Sequence, residues 1–497
     1  MTAVAVAFPF IILLVLTLAF RRPLWQGGIA ALASALVAWS FVPGIETGQL
    51  VPPLVRAFVV ATEVGLILLG AIAFLEYMSR IGTTGRIQSS LAGFTNGDRA
   101  LNALLLAWLF CGFLEGAAGF GAPAALVAPL LSSLGFSPLG AAALPLIGDS
   151  AAVPFGAVGT PVRVGFDGMT GAEQAGHYGA GLNLLIGWIP PLFIFLLVRT
   201  FDRLKGNTPE HSTGPGLALW AGFYYSIPAF GLVWLGPEFP SLAGSLVGIG
   251  LFSMTLAIRR GQKAPNDSTP RPSFKNLIIA FSPYLLLCLF LLGGKALLGS
   301  SRLRFDLAGS QESIGLFQPG LLFLVTIALL VILRKKESLR EMFRLIGLPA
   351  KRLPGVWLAI FCMASQAQFT VRLSNPADAL GVIFDGSSGA TILILMAPLA
   401  GTLGSFITGS ATVSNLLCAP FLVPACALTG ADPGLVLGLQ LIGAGAGNMI
   451  SLQNLVAVQA TVGLVNREAD MLKLLWRPCL AYVTAASILG WVISLLL

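Results

Sequence analysis

Apolar segments of about 17–25 residues, each long enough to cross a ~30 Å hydrocarbon layer, recur from one end of this chain to the other. They read at about 4–20, 24–42, 54–78, 100–114, 178–198, 216–236, 240–258, 276–293, 317–333, 354–371, 388–404 and 475–497. Two further regions, 115–159 and 405–465, are apolar but interrupted by glycine and polar residues. Hydrophobic residues make up 56% of the chain and charged residues only 10%, against roughly 25% charge in a soluble domain. So few charges cannot cover a water-facing surface, so lipid must. The expectation is an all-α polytopic membrane protein of about 12–14 transmembrane helices, with inverted repeats and broken helices or re-entrant hairpins.

The net charge of +8 follows the spans. Arg21–Arg22, Arg259–Arg260, Lys263, Arg334–Lys335–Lys336 and Lys351–Arg352 each border an apolar segment, the arrangement that marks cytoplasmic loops. Nucleic-acid binding would need that charge clustered on a water-exposed module, so no nucleic-acid partner is expected. Followed along the chain, Arg80, Arg86 and Arg99 fall inside, as do Arg199, Arg203 and Lys205, while Glu46, Glu238, Asp378 and Asp385 fall outside. Residues 294–316 fall outside despite Lys295, Arg302 and Arg304. No Lys or Arg precedes the segment at 4–20 and two arginines follow it. It therefore reads as a retained span rather than a signal peptide, with the N-terminus outside a bacterial plasma (inner) membrane. The stretch 259–275, with three prolines, reads as a linker. The stretch 334–352, with Leu339, Phe343 and Ile346 on one face, reads as an interfacial helix.

Several classes of function are disfavoured. Six scattered cysteines without CxxC spacing read as small buried hydrophobes. His177 and His211 sit in separate polar loops and cannot form a His-based metal site. No nucleophile–base constellation suggests an enzyme, no soluble domain suggests a receptor, and no metal, cofactor or catalytic residue is expected. A channel would conduct without concentrating its solute.

Two stretches resemble each other. Phe113-Leu114-Glu115-Gly116 corresponds to Phe406-Ile407-Thr408-Gly409, GFSP at 135–138 to GADP at 430–433, and LPLIGDS at 144–150 to LQLIGAG at 439–445. The offset is 293 residues at the first pair and 295 at the later two. Three matches in order at nearly one offset point to a duplication. An odd number of spans between the copies would invert the second. Inverted repeats with interrupted helices are the sequence pointer to a secondary transporter with its site at the repeat interface. The chain then divides into scaffold spans at 1–99, a first repeat at 100–198, further scaffold at 199–387 and a second repeat at 388–497.

Irregular backbone is not tolerated facing lipid, where each unpaired N–H or C=O costs several kcal/mol, so EGAAGFGAP at 115–123 must line a cavity or be buried in protein. Gly119 and Gly121 would let a ligand approach the backbone. The half-helices that follow would aim N–H groups and positive dipole ends at an anion. In the second copy Thr408, Ser410, Thr412 and Ser414 offer hydroxyls and Asn415 an amide. Three or four hydrogen bonds to a charged group, at roughly 1.5–3 kcal/mol each, reach the ~4–8 kcal/mol of a millimolar-to-micromolar site. Ser150, Asn448, Ser451, Gln453 and Asn454 in the second breaks could bind substrate hydroxyls or a cation. Glu115 and Asp149 are intramembrane carboxyls, for which a functional role is the default. Either could carry the coupling ion, or Glu115 could simply cap a helix end. Arg163 could meet substrate at an outer mouth or lie at the interface as a snorkelling side chain.

FLEGAAGFGAP at 113–123 resembles the signature of the bacterial L-lactate permease family. So do GFSP at 135–138, PFGAVGTP at 154–161, LGSFITGS at 403–410, the MIS–Q run at 449–453 and VGL at 462–464. The resemblance implies uptake of a small 2-hydroxymonocarboxylate such as lactate or glycolate, usually with a proton, and a possible homodimer. It also marks departures. The family's acidic residue in GSDTxSN is Ala411 here, its Lys before MIS is Asn448, its Pro is Leu452, and its Asn is Asp149. These leave sodium coupling, or another organic anion such as a sulfonate or dicarboxylate, as the alternative.

Overall fold

The computed structural model describes residues 2–20, 22–43, 46–119, 121–204, 214–261, 273–307, 310–334, 339–373 and 388–497. His211, Asp378, Asp385 and most of the 259–275 linker lie outside the described residues, as do the side chains of Leu339, Phe343 and Ile346. Ten described helices are long and apolar enough to cross a membrane, or up to eleven if the bent pair Pro138–Asp149 and Val153–Arg163, at 59°, is one span. Shorter apolar helices at Phe8–Thr17, Leu24–Ser40 and Pro319–Arg334 continue the series. The chain is a helical, multi-pass membrane protein.

Burial sorts these helices by role. In Glu468–Ser494 only 33% of the most apolar window is buried, and in Phe274–Leu298 44%; both turn apolar side chains such as Trp491, Ile278 and Leu289 outward. In Arg99–Ala117 the share is 94% and in Pro433–Ile450 it is 89%. A helix that is apolar all round and buried all round belongs to the centre of a bundle. The two central helices are those that lead into the broken segments.

The stretches matched by sequence are also built alike. Ser137 caps the Pro138–Asp149 helix by accepting from Gly140 N at 3.2 Å, and Asp432 caps Pro433–Ile450 by accepting from Leu435 N at 2.6 Å. Each cap sits in the same place in its motif and satisfies the same orphan donor. Gly135 and Gly430, which open the two motifs, both adopt left-handed backbone, with φ of 81° and 75°. Gly148 packs on the carbonyl of Ala107 and Gly443 on that of Pro398, each so tightly that a Cβ would collide with it. One glycine in each copy thus lets its helix press against the helix that opens that copy.

One short element departs from an all-helical expectation. Arg302–Leu307 and Ser310–Gly315 form an antiparallel hairpin with Arg302 opposite Gly315. It accounts for the basic residues at 294–316 that fit the charge pattern poorly. Arg302 donates to Ser313 Oγ at 3.4 Å, and Lys295 is taken up by Glu238.

Candidate functional site

The first break follows a helix with its own irregularity. Residues Leu104–Phe110 are wound as a π-helix, and Cys111–Ala117 then carries Glu115 to the break. π-segments widen a helix locally and are frequent at functional sites. After Pro138–Asp149 the chain breaks again, and Ala157, Val158 and Gly159 take left-handed conformations with φ of 43°, 56° and 75°. For a β-branched residue such as Val158 this costs on the order of 1–3 kcal/mol, and it survives only because the surroundings hold it. Just before this turn, side chains of neighbouring helices pin the backbone at Ala151 and Ala152. The Ala151 carbonyl accepts from Asn183 Nδ2 at 2.9 Å and from the Tyr225 hydroxyl at 3.0 Å, and the Ala152 carbonyl accepts from Ser241 Oγ at 2.5 Å. Asn183 is held in turn by the Tyr482 hydroxyl. Three helices thereby satisfy carbonyls that lipid could not, and a fourth holds Asn183.

Between the breaks lies a small cavity lined by Glu115, Gly119, Gly156, Ala157 and Pro161 from the first half. Gly409, Ser410, Ala411, Thr412 and Asn448 line it from the second, and Val153 completes the wall. A Cβ at Gly156 would overlap the Glu115 carboxylate, and one at Gly119 would stand 3.2 Å from its Oε1. The carboxylate excludes a side chain at Gly156, whereas at Gly119, Ala157 and a left-handed φ of 61° do so first. Opposite stands the N-terminus of the Ala411–Thr429 helix, capped by Ser410. Its dipole and first N–H groups favour negative charge. The Thr412 hydroxyl forms no hydrogen bond with the described residues. Asn448 Oδ1 accepts from Asn454 Nδ2 at 2.8 Å, which leaves the Asn448 Nδ2 for a ligand.

Of the residues singled out by sequence, Glu115, Gly119, Ser410, Thr412 and Asn448 line this cavity, and the others stand around it. Asn415 Nδ2 donates to the Pro161 carbonyl at 2.9 Å, and Gln440 Nε2 donates to Asn415 Oδ1 at 3.3 Å, so this amide ties the two broken segments together. Gly121 faces Asn454 across the same seam, and a Cβ there would touch Asn454 Oδ1 at 2.5 Å. Ser414 bonds the Gly401 carbonyl, Thr408 the Gly404 carbonyl, and Ser150 the Ile147 carbonyl. The Thr408 and Ser150 hydroxyls close local helix geometry, and that of Ser414 ties its helix to Gly389–Thr408. Ser451 Oγ is buried without a partner among the described residues, and Gln453 is exposed beside Gly409.

Asp149 is fully enclosed behind Glu115, with its carboxyl facing that of Glu115 within hydrogen-bonding reach. No N–H or O–H of the described residues donates to either Asp149 oxygen or to Glu115 Oε2. Arg163 does not snorkel. Its Nε lies 3.2 Å from an oxygen of Glu238, which is completely buried. Among the described residues no group of three or more His, Cys, Asp and Glu could hold a metal. Sequence reasoning missed Gly156, Ala157 and Pro161 as cavity walls. The signal was the run PFGAVGTP, in which two glycines and two prolines interrupt apolar sequence.

A multi-pass helical protein whose two broken segments close on one small polar cavity is a membrane transporter by class. The chain belongs to the L-lactate permease family, whose model matches residues 2–293 and 312–497. It is 27% identical to an L-lactate permease of Halalkalibacterium halodurans, over 100% of this chain and 97% of that one. It is also 27% identical to a glycolate permease of Escherichia coli, over 86% of this chain and 83% of that one. Among solved structures it resembles MtrF of Neisseria gonorrhoeae, from a class of antimetabolite efflux pumps, with TM-score 0.46 and 17% identity over 95% of each chain.

Proposed function

We propose that this protein carries a small 2-hydroxymonocarboxylate such as L-lactate or glycolate into the cell together with a proton, by alternating access between two inverted repeats. The observation that carries the reading is the shared cavity: a carboxyl on one wall and a capped helix N-terminus on the other. The substrate carboxylate would lie at the N-terminus of Ala411–Thr429, with Ser410, Thr412 and Asn448 as donors. Its 2-hydroxyl would turn toward Glu115.

The carboxyl pair supplies the coupling. Two ionised carboxylates facing each other without donors would be uncompensated buried charge, and a proton between them resolves it. An arriving anion sharpens the requirement. At 4 Å and an effective dielectric constant of about 20, it would be repelled by an ionised Glu115 by about 4 kcal/mol. Substrate therefore enters the cavity with the pair protonated, and anion and proton cross together. Uptake by proteoliposomes, with pH and sodium gradients imposed separately, tests this. Accumulation driven by the pH gradient alone supports it, and accumulation that needs sodium rejects it in favour of a sodium-coupled carrier.

A further inference from the structure

A second charged site lies at the far end of the segment that walls the cavity. Glu238 is completely buried and takes two cations: Arg163 Nε at 3.2 Å, and Lys295 Nζ at 3.0 and 3.2 Å from its two oxygens. Both cations also stand over the Phe317 ring, at 5.5 and 5.4 Å from its centre. One cation would neutralise Glu238. The second leaves the cluster with net positive charge, and partly burying an extra cation costs free energy that a purely structural pair would avoid. Arg163 Nη1 is buried and has no acceptor among the described residues. The nearest acid along the chain, Asp167, is committed to Arg56, whose Nε donates to it at 2.8 Å.

The position links this cluster to the cavity. Lys295 lies in the last turn of the apolar helix Phe274–Leu298, and the Arg163 and Lys295 side chains are 22% and 34% exposed. Inward, Arg163 stands two residues beyond Pro161, which lines the cavity, and Gly159 packs directly on Pro237 and Glu238.

We propose that Arg163 and Lys295 form an access site that captures the carboxylate of a small organic anion before it passes the 157–161 turn into the cavity. The inference rests on the transport reading above and adds where the substrate is first held. A guanidinium offers two parallel donors matched to a carboxylate, and Phe317 forms an apolar floor beside it. Glu238 competes with the incoming anion for both cations, so the site is weak enough to release its ligand inward.

The test is L-lactate uptake by proteoliposomes, read as KM and kcat for four proteins. Arg163→Gln and Lys295→Gln are expected to raise KM about tenfold, the equivalent of one charge-assisted hydrogen bond, with kcat within about twofold of wild type. Glu238→Gln removes the competitor and is expected to lower KM. A structural role gives a different pattern, in which all three variants lose kcat and thermal stability together while KM stays put; that pattern overturns the access site but not the transport function. Absence of saturable L-lactate uptake by the wild type overturns both.

Discussion

Glu115 Oε1 lies against the Cα of Gly156, so close that the smallest side chain at that position would occupy the same space. The contact joins the end of the first broken helix to the strained turn that follows the second break. It also sets how a carboxyl can sit in mid-membrane: backbone, not side chains, forms its cradle. Gly156→Ala is therefore expected to abolish uptake while leaving the protein folded, because the Glu115 carboxyl must leave the cavity. The check is uptake alongside a thermal melt in detergent. Near-normal transport by the alanine variant would show that the cradle is not needed.

Glu115 and Asp149 should divide the coupling between them. Glu115→Gln keeps the shape of the site and removes the group that faces substrate. It is expected to retain exchange of internal for external L-lactate while losing accumulation under a pH gradient. Asp149→Asn is expected to weaken coupling in the same direction, because an amide can donate to Glu115 without a shared proton. Paired flux measurements, exchange against net accumulation, decide this.

Thr412 stands at the start of the Ala411–Thr429 helix with a hydroxyl uncommitted to the described protein groups. Thr412→Val preserves volume and removes the donor. The expected result is a rise in KM of about ten- to a hundredfold, matching one hydrogen bond to a charged group at roughly 1.5–3 kcal/mol. Ser414→Ala, by contrast, removes a hydroxyl that donates to the Gly401 carbonyl and does not line the cavity, and should leave KM alone.

Much of this arrangement was legible in the sequence. Glycine and proline inside apolar runs located both breaks, since only a cavity or buried protein tolerates irregular backbone there. GFSP and GADP were legible as matching motifs, and the structure adds that Ser137 and Asp432 within them cap two helices. What could not be read was which polar residues face inward. Ser410, Thr412 and Ser414 alternate in sequence, yet on a helix they point in different directions, so Ser414 turns to a neighbouring backbone while Thr412 faces the cavity. The pairing of Arg163 with Glu238 spans regions far apart in the chain, and no local pattern announces it. Nor does any rule of local propensity place Val158 in left-handed backbone, next to a glycine, Gly159, that packs on Pro237 and Glu238 from a distant part of the chain. The departures Ala411 and Asn448 were visible as residues, but only the structure shows that they share one cavity.

Asn415 bridges the two broken segments through Pro161 and Gln440. Asn415→Ala would leave the Pro161 carbonyl and the Gln440 amide buried without this partner, at about 1–3 kcal/mol for each unsatisfied group. A lowered melting temperature in detergent is the expected outcome, together with lost uptake. An unchanged melt would mean that the seam is held elsewhere.

The most direct test of the central claim is the ratio of protons to L-lactate entering sodium-free proteoliposomes, measured for wild type and Glu115→Gln. Inward movement of about one proton with each anion in the wild type, and none with the anions exchanged by the variant, is the result that a proton-loaded Glu115–Asp149 pair requires. Proton movement that persists undiminished in the variant, or wild-type uptake that proceeds without any, would contradict it.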